Sequence, residues 1–159
     1  MPCWQSFTLR KSIVDRLLYT MGTHTFSKPE RLSSKIAIDE LFAGGAKSFS
    51  AFPLRVVYLP IAKREGMAAV SLLISVPKKR FKRAVKRNRV KRQIREAYRK
   101  HKELLLNVYQ NEEQNLMLAV IYLSDRLVDS SEIEEKLASL LVRILDHKRP
   151  LKNAKSSLK

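Results

Sequence analysis

Three kinds of residue are scarce in this sequence, and each shortage excludes a class of protein or site. Cys3 is the only cysteine among 159 residues, so an internal disulfide or a zinc site made of several thiolates is impossible. The three histidines are widely separated and match no metal-ligand or catalytic-triad spacing. Acidic residues number 15 against 32 Lys and Arg. We therefore expect neither a catalytic residue nor a metal ligand in this chain.

Long apolar runs are also missing. No stretch approaches the roughly 18 apolar residues that a membrane-spanning helix needs. The N-terminus lacks the basic segment, apolar core and small-residue cleavage site of a secretory signal. We expect a cytoplasmic protein that does not interact with membranes.

The abundant residues are basic and apolar. The formal net charge is +17, and 45% of the residues are hydrophobic, which is enough for one domain with its own core. So large a basic excess predicts a polyanionic partner. Hydrolysis of a phosphodiester by the protein itself would need clustered carboxylates or a positioned base. The acids are instead concentrated in residues 125–146, on a helix whose spacing suits surface pairing.

Composition divides the chain into three parts. Residues 1–25 have mixed polarity and little periodicity, so we expect a flexible N-terminal extension, and Met21 is an alternative start. Residues 26–148 form the predicted domain. Residues 149–159 contain too few apolar side chains to pack, which predicts a basic, disordered tail.

Strands are predicted from branched and aromatic residues. Residues 52–59 and 68–76 are expected to pair as a β-hairpin, because a glycine-containing turn at residues 63–66 separates them. Residues 115–124, "NLMLAVIYLS", are apolar on both alternating faces, which is typical of a central strand.

Two helices flank these strands in the sequence. Residues 32–42 precede Gly44-Gly45 and have apolar side chains at helical spacing. Residues 130–147 carry one apolar stripe and begin with Ser131 and Glu134 in capping-box spacing.

Residues 78–102 hold 14 bases and one acid, so a local excess of +13 accounts for most of the net charge. At roughly 100° per residue, the apolar side chains from Val90 to Leu105 share an arc of about 120°. The adjacent arc contains no acid; its members are Asn88, Lys91, Arg92, Arg95, Arg99 and Lys102. Glu96 lies on the far flank, where it can pair with Arg92 or Lys100. This pattern predicts a docked helix over residues 84–105 with one cationic face.

The partner of that face can be argued from charge. A solvated face without a partner normally mixes acids with bases, because like charges repel. Nucleic acid, a heparin-like polymer and an anionic membrane all remain possible. A membrane-surface helix would show a wide exposed apolar face, whereas this stripe is narrow. Nucleic acid is therefore favoured.

The order of the side chains adds a resemblance. Residues 75–99, "SVPKKRFKRAVKRNRVKRQIREAYR", resemble the signature of the protein subunit of bacterial ribonuclease P. Arg87-Asn88, Lys91-Arg92 and Arg95-Glu96 match that family's "RNR" motif. Arg31-Leu32, Phe42 and Gly45 lie at the family's distances upstream, and the resemblance covers about residues 26–148.

The resemblance implies a ribosomal-protein-like α/β fold, an α+β sandwich in one domain. Its order would be α-β-β-β-α-β-α, with a left-handed β-α-β crossover, although connection rules alone favour a right-handed one. A short strand near residues 48–51 would complete this order.

The resemblance also implies a function in a ribonucleoprotein endoribonuclease. In that family a separate catalytic RNA removes the 5′ leader from precursor tRNA with Mg²⁺ that the RNA holds, and the protein alone binds no cofactor. The protein binds the RNA and the leader, and strengthens substrate and Mg²⁺ binding. A ribosomal or general RNA-binding protein without a role in tRNA processing is the alternative, which explains the charge but not the ordered motif.

The resemblance also assigns binding residues, position by position along the matching motif. The predicted RNA-binding residues come from the motif and from the basic loop before it. Arg99 is added because arginine suits bidentate contact with phosphate. The set is Lys78, Lys79, Arg80, Arg87, Asn88, Lys91, Arg92, Arg95 and Arg99. Phe42 matches an aromatic position in the family's leader-binding cleft, between the first helix and the sheet. Ile38 stands where many members have Phe, so Phe52 and Tyr58, on one alternating face of the first strand, are further leader-binding candidates. Core packing is the alternative for both.

Overall fold

The computed structural model describes the backbone of residues 25–156 and the side chains of residues 25–148. Nearly all of the predicted N-terminal extension lies outside the described residues. The elements within the described part are α1 (Lys35–Phe42), β1 (Lys47–Ala51), β2 (Leu54–Ala62), β3 (Val70–Ser75), α2 (Ala84–His101), α3 (Glu103–Tyr109), β4 (Gln114–Tyr122) and α4 (Ser130–Ser156). This mixed α/β order confirms the expected fold class and adds one short helix, α3.

β4 lies inside the sheet, whose strand order is β1-β2-β4-β3. It pairs antiparallel with β2 and parallel with β3. Every residue from Asn115 to Val120 is buried, because helices cover both faces at this strand. The predicted central strand is confirmed.

The predicted hairpin between residues 52–59 and 68–76 is wrong. β2 pairs with β1 across the short turn at Phe52 and Pro53, and its other edge pairs with β4. A short connection closes at little entropic cost, so the neighbouring β1 takes one edge of β2. The loop containing Gly66, whose φ is 77°, connects β2 to β3, which lies on the other side of β4 in the sheet.

The two faces of the sheet carry separate cores. One face packs against α2, α3 and α4, with Leu54, Val56, Leu116 and Leu118 among its buried side chains. The opposite face packs under α1, where Ala37 and Leu41 meet Val57, Ile61, Met117 and Ala119. Because α1 is short, Ser48, Ser50 and Arg55 on this second face are exposed. We call this uncovered part the open face.

The basic segment forms two consecutive helices instead of the one predicted over residues 84–105. Val90, Ile94, Ala97 and Tyr98 are buried, and so is Leu105 in α3, which confirms the predicted apolar stripe. The break falls at Lys102. Lys102 was assigned to the cationic arc, but it is only 3% exposed, so that assignment is wrong.

Lys102 is buried because residues 25–32, here called the strap, supply its partners. Its Nζ atom donates to Glu30 Oε1 and to the Thr25 carbonyl oxygen, both at 2.9 Å. The strap also runs along β3, where Leu32 N donates to Leu72 O at 2.9 Å and Leu72 N to Glu30 O at 2.7 Å. Leu32 therefore belongs to the strap, and α1 begins at Lys35 instead of residue 32. The strap ties the end of α2 to the sheet edge.

α4 differs from its prediction at both ends. The Glu134 carboxylate accepts hydrogen bonds from Lys100 and His101 on α2 instead of folding back on Ser131, so the predicted capping box is replaced by contacts between helices. The helix also continues past residue 147 and through Pro150 to Ser156, where a loose tail was expected. Extending an existing helix avoids the cost of nucleation. Residues 157–159 lie outside the described part.

The strap generates a stability prediction. Lys102→Met leaves the largely buried Glu30 carboxylate without its cation, so the free energy of unfolding should fall by about 3 kcal/mol. Urea denaturation measures this change. Lys100→Met is the matched control, because its pair with Glu134 is partly exposed to solvent and should contribute less than about 1 kcal/mol. Equal losses in both variants would contradict the structural role of the strap.

Candidate nucleic-acid interface

The predicted RNA-binding residues lie on α2 and on the loop that leads into it. Lys78, Lys79, Asn88 and Arg92 are exposed, and Arg80, Arg87, Lys91, Arg95 and Arg99 are half-buried. None of the nine is buried, because the apolar stripe of α2 occupies the side of the helix that packs on the core. We call the outward side of α2 and its preceding loop the cationic face.

Most of the charge on this face is not neutralised by the protein. Among the side chains that the structure describes, no acid pairs with Lys82, Arg83, Lys86, Arg89, Lys91 or Arg92. The first turn of α2 contains no acidic residue either, although acids are the residues that stabilise that end of a helix. The arrangement opposes folding unless an anion binds there.

Arg87 shapes the start of the cationic face. Its Nη1 atom donates to the carbonyl oxygens of Phe81 and Lys82, at 2.8 and 2.7 Å. Arg83 at the N-cap makes no side-chain capping bond, so this guanidinium fixes the loop instead. Arg87 therefore holds the loop before α2 in addition to adding charge to it.

The single acid on α2 is paired differently from the prediction. Arg99 Nη2 lies 2.6 Å from Glu96 Oε1, and Arg99 Nε donates to Glu96 Oε2 at 3.0 Å. The hydrogen bond from Arg99 is the main reason why the pKa of Glu96 is lowered. The expected i,i+4 pairing with Arg92 or Lys100 is replaced by this i,i+3 pair. Arg99 is thus partly neutralised, unlike Arg89, Lys91 and Arg92 earlier in α2.

Contacts with α4 orient the cationic face. Gln93 Nε2 donates to Ser130 Oγ at 2.9 Å and to the Val128 carbonyl oxygen at 3.3 Å. Lys100 Nζ lies 2.8 Å from Glu134 Oε2. Burial alone would raise the pKa of Glu134, but the hydrogen bonds from Lys100 and His101 outweigh it and hold the pKa below its usual range. The polar contacts all lie on one flank of α2, which leaves the cationic face outward.

The three predicted leader-binding aromatics do not come together. Phe42 is 49% exposed at the end of α1, above the second core. Phe52 is 65% exposed, but it belongs to the β1–β2 turn and not to β2. Tyr58 is 4% exposed and stacks on Phe49 with ring centroids 5.7 Å apart. The expectation that Phe52 and Tyr58 share a strand face is therefore wrong, and Tyr58 belongs to the core.

Sequence reasoning missed the loop between β4 and α4. Arg80, in the loop before α2, lies 2.8 Å from Asp125 in this loop. Because β3 and β4 are parallel neighbours, the segments that follow them leave the sheet at the same end. The β-α-β crossover that the resemblance implies was therefore the signal that could have placed this loop beside the cationic face.

The described residues contain neither a metal-binding cluster nor a membrane-spanning helix. No cluster of three or more His, Cys, Asp or Glu side chains there has a geometry suited to holding a metal ion. Among the helices of residues 25–156, none is both long and apolar enough to span a membrane.

Comparison with known proteins identifies the family. The ribonuclease P family model matches residues 26–145. The ribonuclease P protein component of Porphyromonas gingivalis W83 is 45% identical over 122 residues, which cover 77% of this chain and 88% of the relative. The protein component of Borrelia turicatae is 31% identical over 117 residues, with 74% and 93% coverage.

A solved structure agrees with these relatives. The ribonuclease P protein from Thermotoga maritima superposes with a TM-score of 0.53 at 27% identity, and the match covers 72% of this chain and 96% of that protein. The structure from Staphylococcus aureus, at 20% identity and a TM-score of 0.52, shows the same fold. The chain belongs to the ribonuclease P protein family.

Proposed function

We propose that this chain is the protein subunit of a ribonucleoprotein ribonuclease P, which removes the 5′ leader from precursor tRNA in the cytoplasm. A separate catalytic RNA performs the cleavage. The protein binds that RNA through the cationic face and binds the leader through exposed aromatic residues. The observation that carries the proposal is the concentration of unpaired cations on one side of a well-anchored helix in a member of this family.

Charge neutralisation explains how such a protein assists an RNA. The catalytic RNA and its substrate are both polyanions, so their close approach is opposed by repulsion that Mg²⁺ must otherwise screen. Each Lys or Arg that contacts a phosphate releases counterions and favours association. A rigid cationic face between the two RNAs would therefore strengthen substrate binding and lower the Mg²⁺ concentration that the reaction needs.

The acidic side chains support the assignment of catalysis to the RNA. Many of the described acids are engaged in ion pairs, including Glu40 with Arg64, Glu112 with Lys148 and Asp125 with Arg80. Metal-assisted phosphodiester hydrolysis needs several carboxylates that converge on one site, and the described residues provide no such group. We therefore assign the Mg²⁺ of the reaction to ligands on the RNA.

Leader binding is assigned to exposed rings on the protein. Phe42 lies at the end of the helix that covers the second core, and the open face with Arg55 continues the same side of the sheet. Stacking of an unpaired base on an aromatic ring is sequence-tolerant and worth about 1 to 3 kcal/mol. Such contacts suit a leader whose sequence varies from one tRNA to another.

Reconstitution tests the proposed function. At a low Mg²⁺ concentration, cleavage of precursor tRNA by the cognate catalytic RNA should become at least about tenfold faster when this chain is added, which corresponds to about 1.4 kcal/mol. The chain alone should release no leader. Cleavage by the RNA alone at high Mg²⁺ verifies that the RNA is folded. Cleavage by the protein alone, or no stimulation of an active RNA, would refute the proposal.

Phe42 provides a separate test of leader binding. Phe42→Ala should weaken holoenzyme binding to precursor tRNA with a long leader about tenfold, because one stacked base is lost. Binding of mature tRNA, which lacks a leader, should be unaffected by this change. Equilibrium binding to both RNAs measures the difference. An equal loss for the two RNAs would show that Phe42 has no specific contact with the leader.

A further inference from the structure

The face of α4 that packs on the core changes from apolar to basic after Ile144. Among the α4 side chains that the structure describes, Ile144 is the last fully buried one. The backbone nevertheless remains helical for about 18 Å more, to Ser156. Residues three and four apart share one face of a helix, and this spacing runs unbroken through Leu137, Leu141, Ile144, Lys148, Lys152 and Lys155. Lysines thus take over the positions that earlier in the helix are occupied by core residues.

Residues 145–159, here called the lysine arm, cannot form a core of their own. They contain five Lys or Arg and one acid, Asp146, a local excess of +4. Leu145 packs on the core, and the only large apolar residues after it are Leu151 and Leu158. Lysines four residues apart also repel each other along a helix. The arm is therefore stabilised by an anionic partner more than by its own packing.

Contacts at the root of the arm fix where it leaves the domain. The His147 ring lies 5.9 Å from the Phe49 ring of β1, measured between centroids. Lys148 pairs with Glu112, and its Nζ atom lies 3.5 Å from the centroid of the Tyr109 ring, where a cation is attracted to the ring face. The arm therefore starts from a helix that is held by both β1 and α3.

The root of the arm lies on the opposite flank of the molecule from the cationic face. α2 packs beside β3, whereas His147 contacts β1. These two strands are the edges of the sheet, and three strand spacings of together about 14 Å separate them. The arm and the cationic face can therefore contact different parts of one large polyanion.

Paired RNA suits the arm better than an unpaired strand. Proteins that bind single strands combine cations with exposed aromatic rings. The arm contains no Phe, Tyr or Trp, and the rings of Tyr58 and Tyr109 near its root are only 4% and 3% exposed. Lysine contacts a phosphate as a flexible point charge and reads no base. The arm is thus suited to the phosphate backbone of a double-stranded segment.

We propose that the lysine arm is a second binding site for the catalytic RNA, in which Lys152 and Lys155 contact phosphates of a double-stranded segment. This inference rests on the proposed function and adds a contact on a different element from α2. The catalytic RNA is favoured over precursor tRNA because it stays bound through successive turnovers, whereas the substrate leaves after each cleavage. A basic helix that repels itself needs an anion that remains in place.

Neutralising the two lysines tests the site in the full-length chain. Lys152→Gln combined with Lys155→Gln removes two charges and keeps nearly the same helix propensity. The affinity for the catalytic RNA should fall about tenfold, and the slope of log affinity against log salt should decrease by about 1 to 2. Equilibrium binding over a series of salt concentrations measures both. Lys28→Gln combined with Lys63→Gln is the matched control, because it removes the same charge from exposed lysines elsewhere and should change both quantities much less.

A second variant keeps the charge and moves it. Exchanging Lys152 with Asn153 and Lys155 with Ser156 leaves the composition of the arm unchanged but shifts each lysine by about 100° around the helix. The affinity for the catalytic RNA should fall as it does when the lysines are neutralised. Unchanged affinity would overturn the proposal, because binding would then depend on the charge of the arm and not on these two positions.

The outcomes separate this inference from the proposed function. If the wild-type chain stimulates the catalytic RNA but the variant with two Gln substitutions binds that RNA as tightly, the arm is not a contact and the proposed function stands. Weaker binding of precursor tRNA by the holoenzyme, with affinity for the catalytic RNA intact, would assign the arm to the substrate and overturn the inference. Failure of the wild-type chain to stimulate an active RNA would instead refute the proposed function.

Discussion

Repulsion among the cations of residues 78–102 is the constraint on which the rest of the structure depends. A helix with so many like charges is not stabilised by its own surface, so its stability must come from the side that it buries. The stripe from Val90 to Tyr98 supplies that burial against the sheet. Gln93 and Lys100 attach one flank to α4, and the strap attaches the C-terminal end through Lys102. These contacts hold the cations at fixed positions, where a polyanion can meet several of them at once.

The sheet separates the cationic face, on one side, from Phe42 and the open face, on the other. Three helices cover most of one face, and this layer carries the cationic face on its outside. α1 covers only part of the other face, which leaves the open face and Phe42 accessible. The parallel pairing of β3 and β4 brings the loop before α2 and the loop before α4 to one end of the sheet, where Arg80 pairs with Asp125. Each proposed RNA contact thus follows from a feature of the strand order.

The sequence predicts the local features of this molecule well and its long-range contacts poorly. The apolar stripe of α2 and the central position of β4 depend on side chains close together in the chain, and both are confirmed. The family motif also predicts the strand β1, which has too little apolar character to be found alone. The hairpin prediction failed because strand pairing is chosen by competition among distant edges, and β4, which enters much later in the chain, binds β2 more favourably.

Lys102 and Phe52 show that long-range contacts are also difficult to predict at the level of single residues. Helical geometry placed Lys102 among the cations, because its partner Glu30 is 72 residues away in the sequence and no local pattern indicates a buried pair. Alternation along a strand assigned Phe52 to the same face as Tyr58, but β2 begins two residues after Phe52, at Leu54, and Phe52 lies in the turn. Residues that lie in regular helices were placed correctly, whereas those at breaks and turns depend on tertiary contacts.

The salt dependence of binding to the catalytic RNA tests the central claim most directly. Lys91→Glu combined with Arg92→Glu reverses two charges on the cationic face without removing a hydrogen bond found in the described part of the chain. The matched control, Lys28→Glu combined with Lys63→Glu, has the same net charge but changes exposed lysines elsewhere. The account predicts that only the first variant binds weakly, with a slope of log affinity against log salt reduced by about 1 to 2. Equal losses in the two variants would show that total charge, and not the face presented by α2, holds the RNA.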